Sequence, residues 1–516
     1  MRNILLGVLI FVLWVWLWLE RHEATKDEEY DFVMSDHVHI DLDSIKSRGR
    51  LVALTRFNAN SFFIYRGRPM GYEYELLRLF TREIGVELEM RIPSTHDSLF
   101  ILLEQGEGDL IAANLPITRE KSRHILFSEP HNTTRQVLIQ RLPDNHRFMN
   151  ARQMREHLIS DPIELIGRTI TVQENSAHHR RLQNLSDEIG GEIYLHLSPL
   201  EQEDLIGMVS RGETEFTVAD ENLALLNRAY HGNIDVSVAV SFPHRLGWAF
   251  RHSSPELKEA VDNWLENIRR RPIFNIIYNR YYNNPQMYAR RRSSDFFVLQ
   301  TGAISPYDSL FQANEFPPLM PWSLLAAIAY QESRFNNAAV SWMGARGIMQ
   351  LMPGTARDMG FPNVETLTPA QNIRAGAMYL QWLYNHFWRD MTDTTEMIKF
   401  MLASYNAGPG SVRDAQRLAR SLGLNPNVWD GNVAEAILKL SNPRYFYRPY
   451  IRHGFVRGYE PFNYVRDIMA RWRMYEEVLE AVATRRAAAE GAVATTNEPK
   501  NAENYGENEE DDYDEE

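Results

Sequence analysis

The stretch "AIAYQESRF" (Ala327 to Phe335) places a carboxyl group where the pattern calls for an apolar one. Ile328 and Glu332 are four residues apart, so on a helix they share a face. Leu324 and Leu325, one turn earlier, belong to the same apolar stripe. Two chemistries fit a carboxyl in that position. Desolvation raises its pKa and turns it into a proton donor near neutral pH, or it is paired structurally with a base such as Arg334 or Arg346. Beyond Glu332 comes "NNAAVSWMGARGIMQLMPGTA", in which Gly344 and Gly347 permit close backbone approach and Ser341 and Gln350 offer polar contacts beside Met349 and Met352. Further on, "SYNAGPG" sets Tyr405 and Asn406 just before Gly408, Pro409 and Gly410, where a helix must end.

The elements that position these residues are helical from about Arg291 onward. "MPWSLLAAIAYQESRF", "LTPAQNIRAGAMYLQWLYNHF", "TEMIKFMLASYN" and "NYVRDIMARWRMYEEVLEAVATRR" all carry helical apolar spacing, and Thr368 with Pro369 makes a helix start. The preceding half alternates strands and helices. "GRLVALT" reads as a strand, "YEYELLRLFTREIG" as an amphipathic helix ending at Gly85, and "VELEMRI" as an alternating strand. "SLFILLEQGEGDLIAA" adds a helix, a turn and a buried strand. A second round runs from "LIGRTITVQENSAHHRRLQNL" through "EFTVADENLALLNRAY" to "PELKEAVDNWLENIRRR". Such alternation implies parallel sheets with helices on their faces.

At 516 residues the chain exceeds one core, and its 44% hydrophobic and 24% charged residues are those of a globular protein. The net charge of -13 is concentrated at the end: residues 501–516 hold nine acidic and no basic side chains, which leaves only -4 for the rest. No field attracts a polyanion, so nucleic acid is not expected as a partner. Cysteine is absent, which excludes disulfides, thiolate metal sites and a cysteine nucleophile. The 16 histidines are scattered, and the pair His178-His179 lacks companion ligands, so neither a metal nor a cofactor is expected. Residues Ile4 to Leu19 form an unbroken apolar run after Arg2, spanning roughly 24 Å as a helix against a hydrocarbon core of about 30 Å. This fits an export signal, although no small-x-small cleavage site follows, and retention as an uncleaved anchor is the alternative. The expected divisions are 1–19 signal or anchor, 20–42 linker, 43–290 an α/β module, 291–486 a helical module and 487–516 a disordered acidic tail.

Residues 45–285 resemble the bacterial family 3 extracellular solute-binding proteins, through "GRLVALT", "GYEYELL", "LLEQGEGDLIAA", "ITREKSRHILFSEPH" and "TVAD". The resemblance implies two α/β lobes that clamp an amino acid. The place of the family's carboxylate-gripping arginine is held by Lys121, a point charge in place of a planar fork, with Arg119 and Arg123 flanking it as substitutes. Asp220 matches the position that receives the ligand's amino group. Residues 300–480 resemble the family 1 lytic transglycosylases, whose all-α fold is related to goose-type lysozyme. The matching pieces are Glu332 and Ser333, Ser341, the run Gly347 to Gln350, then Asn372, Gly376 and Tyr379, the run Tyr405 to Ala407, and "EPFNYV" with Tyr464.

The combined expectation is a multidomain protein, a two-lobed periplasmic-binding-protein-like α/β module followed by an all-α lysozyme-like module. The second resemblance implies that Glu332 protonates the bond between N-acetylmuramic acid and N-acetylglucosamine in peptidoglycan. As carboxylate it then takes the proton of the muramoyl 6-hydroxyl, which closes to a 1,6-anhydro end. Ser341 and Tyr464 would stand near the reacting sugar, Tyr405 and Asn406 would shape the sugar site, and Met349 and Gln350 would line it. Tyr379 reads as core. Hydrolytic glycosidases need a second carboxylate, and the nearest after Glu332 are Asp358 and Glu365, neither in a matched motif. Two alternatives remain: a goose-type-lysozyme-like hydrolase, and a non-catalytic sensor of amino acids or muropeptides. The resemblance places the protein at the periplasmic face of the outer membrane, peripherally attached to the inner leaflet; an uncleaved anchor would fix it to the inner membrane.

Overall fold

The computed structural model describes residues 38–93, 98–316 and 319–496. The expected signal or anchor and the acidic end of the tail lie outside the described residues. Among the described residues no helix is long and apolar enough to cross a membrane.

Two sheets make the two lobes. In the first, the strands are ordered Glu87–Arg91, Arg50–Leu54, Leu110–Pro116, His244–Phe250 and Leu126–Phe127, with Asn132–Thr134 also paired to His244–Phe250. Its first three strands run parallel, and His244–Phe250 returns antiparallel. The second is ordered Tyr194–Ser198, Thr169–Gln173, Phe216–Asp220, Gln136–Arg141 and Ile234–Asp235. The chain leaves the first lobe after Thr134 and re-enters it at His244, so two adjacent extended segments join the lobes. The alternation read from the sequence is thus resolved into two α/β units, and the helix Tyr72–Ile84 ends at Gly85 in the left-handed conformation, φ 77°.

In the helical module α1 (Trp322–Ser333) buries Leu324, Leu325 and Ile328 fully. The other main helices are α2 (Pro369–Leu383), α3 (Thr394–Ala407), α4 (Pro409–Ser421) and α5 (Tyr459–Thr496). Helix α3 packs on α2, α4 and α5, and α1 packs on α5. Thr368 opens α2 with a capping box to Gln371. Gly408, φ 81°, ends α3, and Pro409 is the first residue of α4. The last helix runs to Thr496, past Ala487 where the disordered tail was expected to begin; "RRAAAEGAVATT" is rich in alanine, the strongest helix former, which sustains it.

The two modules share one apolar core that runs from Phe63 and Tyr72 of the first lobe through Phe297 to Leu324 and Tyr475. Helix α5, 38 residues and about 57 Å long, is the main brace. Its Arg466 pairs with Glu87 at 2.8 Å and its Arg473 with Glu89 at 3.0 Å, while Glu477 accepts from the Ile92 amide at 3.2 Å. Near its far end Arg485 pairs with Asp204 of the second lobe at 2.8 Å. The Phe63–Tyr65 and Arg68–Met70 hairpin meets the helical module at its tip. Arg66 and Gly67, both with positive φ, make the turn, and a Cβ on Gly67 would lie 2.4 Å from the Phe335 ring. There the fully buried Tyr475 hydroxyl donates to the Gly67 carbonyl at 2.8 Å. Tyr475→Phe strands that carbonyl, and we expect it to lower stability in urea unfolding by about 1 kcal/mol.

Candidate active site

Helix α1 stops immediately after its carboxyl-bearing turn. Arg334 and Phe335 both take the left-handed conformation, φ 55° and 65°, so the backbone breaks away without a glycine. Ser333 Oγ reaches from this break to the Ile348 carbonyl at 2.8 Å and ties the following loop to the helix end. The loop is a short hairpin in which Val340 pairs with Arg346 and Arg346 with Leu351. Gly347, φ 82°, lies so close under Asn372 that a Cβ there would stand 2.4 Å from its amide. Asn372, 1% exposed, donates to the Arg346 carbonyl at 3.2 Å and accepts from the Met349 amide at 2.8 Å.

Glu332 faces this loop from α1, and its Oε1 accepts a hydrogen bond of 2.5 Å from the Tyr464 hydroxyl on α5. Burial pushes the Glu332 carboxyl up to about 7, and only the Tyr464 hydrogen bond works the other way. Neither suggested basic partner holds it: Arg346 pairs with Glu365 at 3.1 Å, and Arg334 is exposed at the helix cap. Glu365, in that pair, and Asp358, at the end of its helix, are both exposed. Tyr405, on α3, donates to the Met349 carbonyl at 2.8 Å. Burial and the nearby Glu332 hold the phenols of Tyr405 and Tyr464 well above their usual range, so both stay neutral donors.

Glu332, Tyr464 and Tyr405 therefore come together. Asn406 follows them, exposed at the end of α3. Ser341 and Gln350 lie in the loop with their side chains engaged in it: Ser341 Oγ accepts from the Ala345 amide at 2.9 Å, and Gln350 Nε2 donates to the carbonyls of Ala339 and Gly347 at 3.1 and 2.9 Å. The Met349 side chain is fully buried against Gly376, and it is the Met349 carbonyl that faces Tyr405. Tyr379 stacks on Trp382 and leans on Tyr405, at ring distances of 5.9 and 5.4 Å. The part of Asn372 as the pin of the loop was not read from the sequence. Its signal was a polar residue among Ile373, Gly376 and Ala377 on the buried face of α2.

The cleft between the α/β lobes is lined by Lys121 and Asp220, as expected, together with Arg56, Gln136, His178 and Glu201. Arg119, before the turn Lys121–Arg123, and Arg123, at its end, are exposed and stand outside that lining. The second cation of the cleft is Arg56, at the end of strand Arg50–Leu54, and it reaches across to Glu201 of the other lobe at 2.5 Å. Burial opposes ionisation of Asp220, but His178, His244 and Gln202 together hold its carboxyl below the usual range.

Two families match this chain: Bacterial extracellular solute-binding proteins, family 3, over residues 53–284, and Transglycosylase SLT domain, over residues 309–427. Membrane-bound lytic murein transglycosylase F of Desulfosudis oleivorans is 34% identical over 434 residues, covering 84% of this chain and 91% of that protein. The protein of the same name from Pseudomonas fluorescens is 30% identical over 441 residues, covering 85% and 86%. Among solved structures, a mutant ArgBP from T. maritima covers 47% of this chain and 98% of its own, at 23% identity and a TM-score of 0.40.

The raised Glu332 pKa carries a cost in stability whose sign is fixed. The unfolded chain ionises Glu332 near 4.5 and the folded protein only near 7. Folding therefore loses stability as pH rises between those values and loses no more above them. Glu332→Gln keeps an acceptor for Tyr464 but cannot ionise. In urea titrations we expect it to match the parent at pH 4 and to exceed it by about 1–3 kcal/mol at pH 8.

Proposed function

This chain belongs to the membrane-bound lytic murein transglycosylase F family and is a peptidoglycan lytic transglycosylase, and from that premise we propose that Glu332 is its single acid/base. The observation that carries the reading is one desolvated carboxyl, near pKa 7, bonded to a neutral phenol. In protonated form Glu332 gives its proton to the glycosidic oxygen as the bond from C1 of N-acetylmuramic acid breaks. The resulting carboxylate takes the proton of the muramoyl 6-hydroxyl as that oxygen bonds to C1. The proton returns to Glu332, no water is consumed, and the product ends in a 1,6-anhydromuramoyl group. Tyr464 steadies the carboxylate stage by donating to it, a charge-assisted bond stronger than a neutral one. Tyr405 and Asn406 bound the sugar site, while Ser341, Met349 and Gln350 hold the loop that forms its wall.

The α/β module is read as the receptor for an amino acid or muropeptide, with Lys121 on the ligand carboxylate and Asp220 on its amine, and so as a regulator of the catalytic module. The family name supports membrane association. Attachment at the periplasmic face of the outer membrane, or by an uncleaved N-terminal segment at the inner membrane, is the corresponding reading of location.

Mass spectrometry of digested sacculi should find 1,6-anhydro-muropeptides with the parent and none with Glu332→Gln; reducing muramic ends would assign a hydrolase instead. The pH profile of kcat/KM should fall above about pH 7, where free Glu332 loses its proton. Tyr464→Phe should move that limb to higher pH while lowering the rate, since it removes the bond that favours the carboxylate. Amino acids or muropeptides should raise the thermal unfolding temperature of the parent, and Lys121→Ala should abolish that shift; no shift in either protein would discard the receptor role.

A further inference from the structure

At the tip of the hairpin that follows the helix carrying Glu332, the chain exposes a tryptophan. Trp342 is 80% exposed, and its neighbours Val340 and Met343 are 55% and 57% exposed. The Gly344 amide bonds back to the Ser341 carbonyl at 3.0 Å, so Trp342 and Met343 are the two central residues of a tight turn. A tryptophan side chain carries 150–250 Å² of mostly apolar surface, roughly, and normally buries most of it. Three such residues together on one turn mark a surface that meets something.

The position of the turn says what. One limb of this hairpin carries the Ile348 carbonyl held by Ser333, next to Glu332, and the Met349 carbonyl held by Tyr405. The ring is braced from the other wall of the site: the Arg457 guanidinium lies over it at 6.0 Å from the centroid. Arg457 stands seven residues before Tyr464, on the segment that leads into α5. Arg457 is steadied in turn by Glu460 at 3.4 Å. The loop that walls Glu332 and the segment that supplies Tyr464 thus meet again at Trp342. An apolar plate on the same hairpin as the loop beside Glu332 suits one kind of occupant, since a pyranose ring offers a flat array of C–H bonds to an aromatic face while its hydroxyls stay in water.

We propose that Trp342, oriented by Arg457, is a stacking platform for a sugar of the glycan strand beyond the two that flank the scissile bond. The inference rests on the peptidoglycan reading above and adds a subsite to it. The platform binds the strand and touches no reacting atom, so its contribution depends on strand length.

The test uses the full chain carrying Glu332→Gln, which keeps the site and halts turnover, with β-1,4-linked N-acetylglucosamine oligomers as probes. Calorimetric titration should show Trp342→Ala weakening the hexamer by about tenfold, a typical scale for one aromatic contact, and the dimer far less. Trp342→Phe should recover most of the hexamer affinity, and the thermal unfolding temperature should not move, because the side chain packs on little. In the active protein Trp342→Ala should raise KM for strands more than it lowers kcat. Hexamer affinity within twofold of the parent would overturn the platform and leave the transglycosylase reading intact. Failure of the hexamer to bind the Glu332→Gln protein at all would overturn the glycan reading and the platform with it.

Discussion

A carboxyl group kept out of water but never left without a partner is the constraint on which the rest of this molecule depends. Two influences act on Glu332 in opposite senses: burial raises its pKa and the Tyr464 hydroxyl lowers it, and the outcome is about 7. Burial favours the protonated, proton-donating form, and the phenol favours the carboxylate. A carboxyl that is to act first as acid and then as base needs both states within reach near neutral pH.

That balance demands walls, and the sequence supplies them in three places. Helix α1 is buried from Ser323 to Ala329, and its last turn, Tyr330 to Ser333, emerges to partial exposure with Glu332 on it. The two left-handed residues after Ser333 turn the chain aside at once, leaving Glu332 at an edge where a substrate can reach it. The loop that returns past the carboxyl is fixed through its backbone: Asn372, Ser333 and Tyr405 each hold a main-chain group of residues 346–349. Backbone anchoring of this kind leaves the side chains at the hairpin tip free to vary, and it explains why Ser341 and Gln350 face their own loop.

Much of this was legible in the chain. The apolar stripe ending in Glu332, the capped start at Thr368 and the stop at Gly408 are local patterns, and local patterns survive folding because backbone geometry imposes them. The α/β alternation and the change to helices after Arg291 were equally plain. What could not be read were meetings between distant segments. Nothing local to Tyr464 says that it donates to Glu332, and only the family resemblance placed the two together. The Arg119 and Arg123 expectation failed for the same reason: three cations within five residues look equivalent, but Lys121 lines the cleft and its neighbours stand exposed outside it. Arg56, far away in sequence, is the cation that shares the cleft. For Met349 the residue was found but not its use, since a side-chain reading cannot foresee that a carbonyl is the working group.

The two modules are joined in a way that makes the environment of Glu332 depend on both. The hairpin tip at Arg66 and Gly67 belongs to the first lobe, yet it lies against Tyr330 and Phe335, which flank Glu332 on the same chain segment. Its carbonyl is held by Tyr475, on the same helix that carries Tyr464. Further along that helix Arg485 reaches Asp204 and also helps to keep Glu201 ionised, while Glu201 spans the cleft to Arg56. A continuous helix is stiff over these distances, and close-packed interiors yield little. The first lobe, through the hairpin, and the second, through α5, are thus both tied to the segments that carry Glu332 and Tyr464. A bond of 2.5 Å tolerates little relative displacement of its partners, because hydrogen-bond energy falls steeply with distance and misalignment. The Glu332–Tyr464 bond thus sits between segments that both modules hold in place.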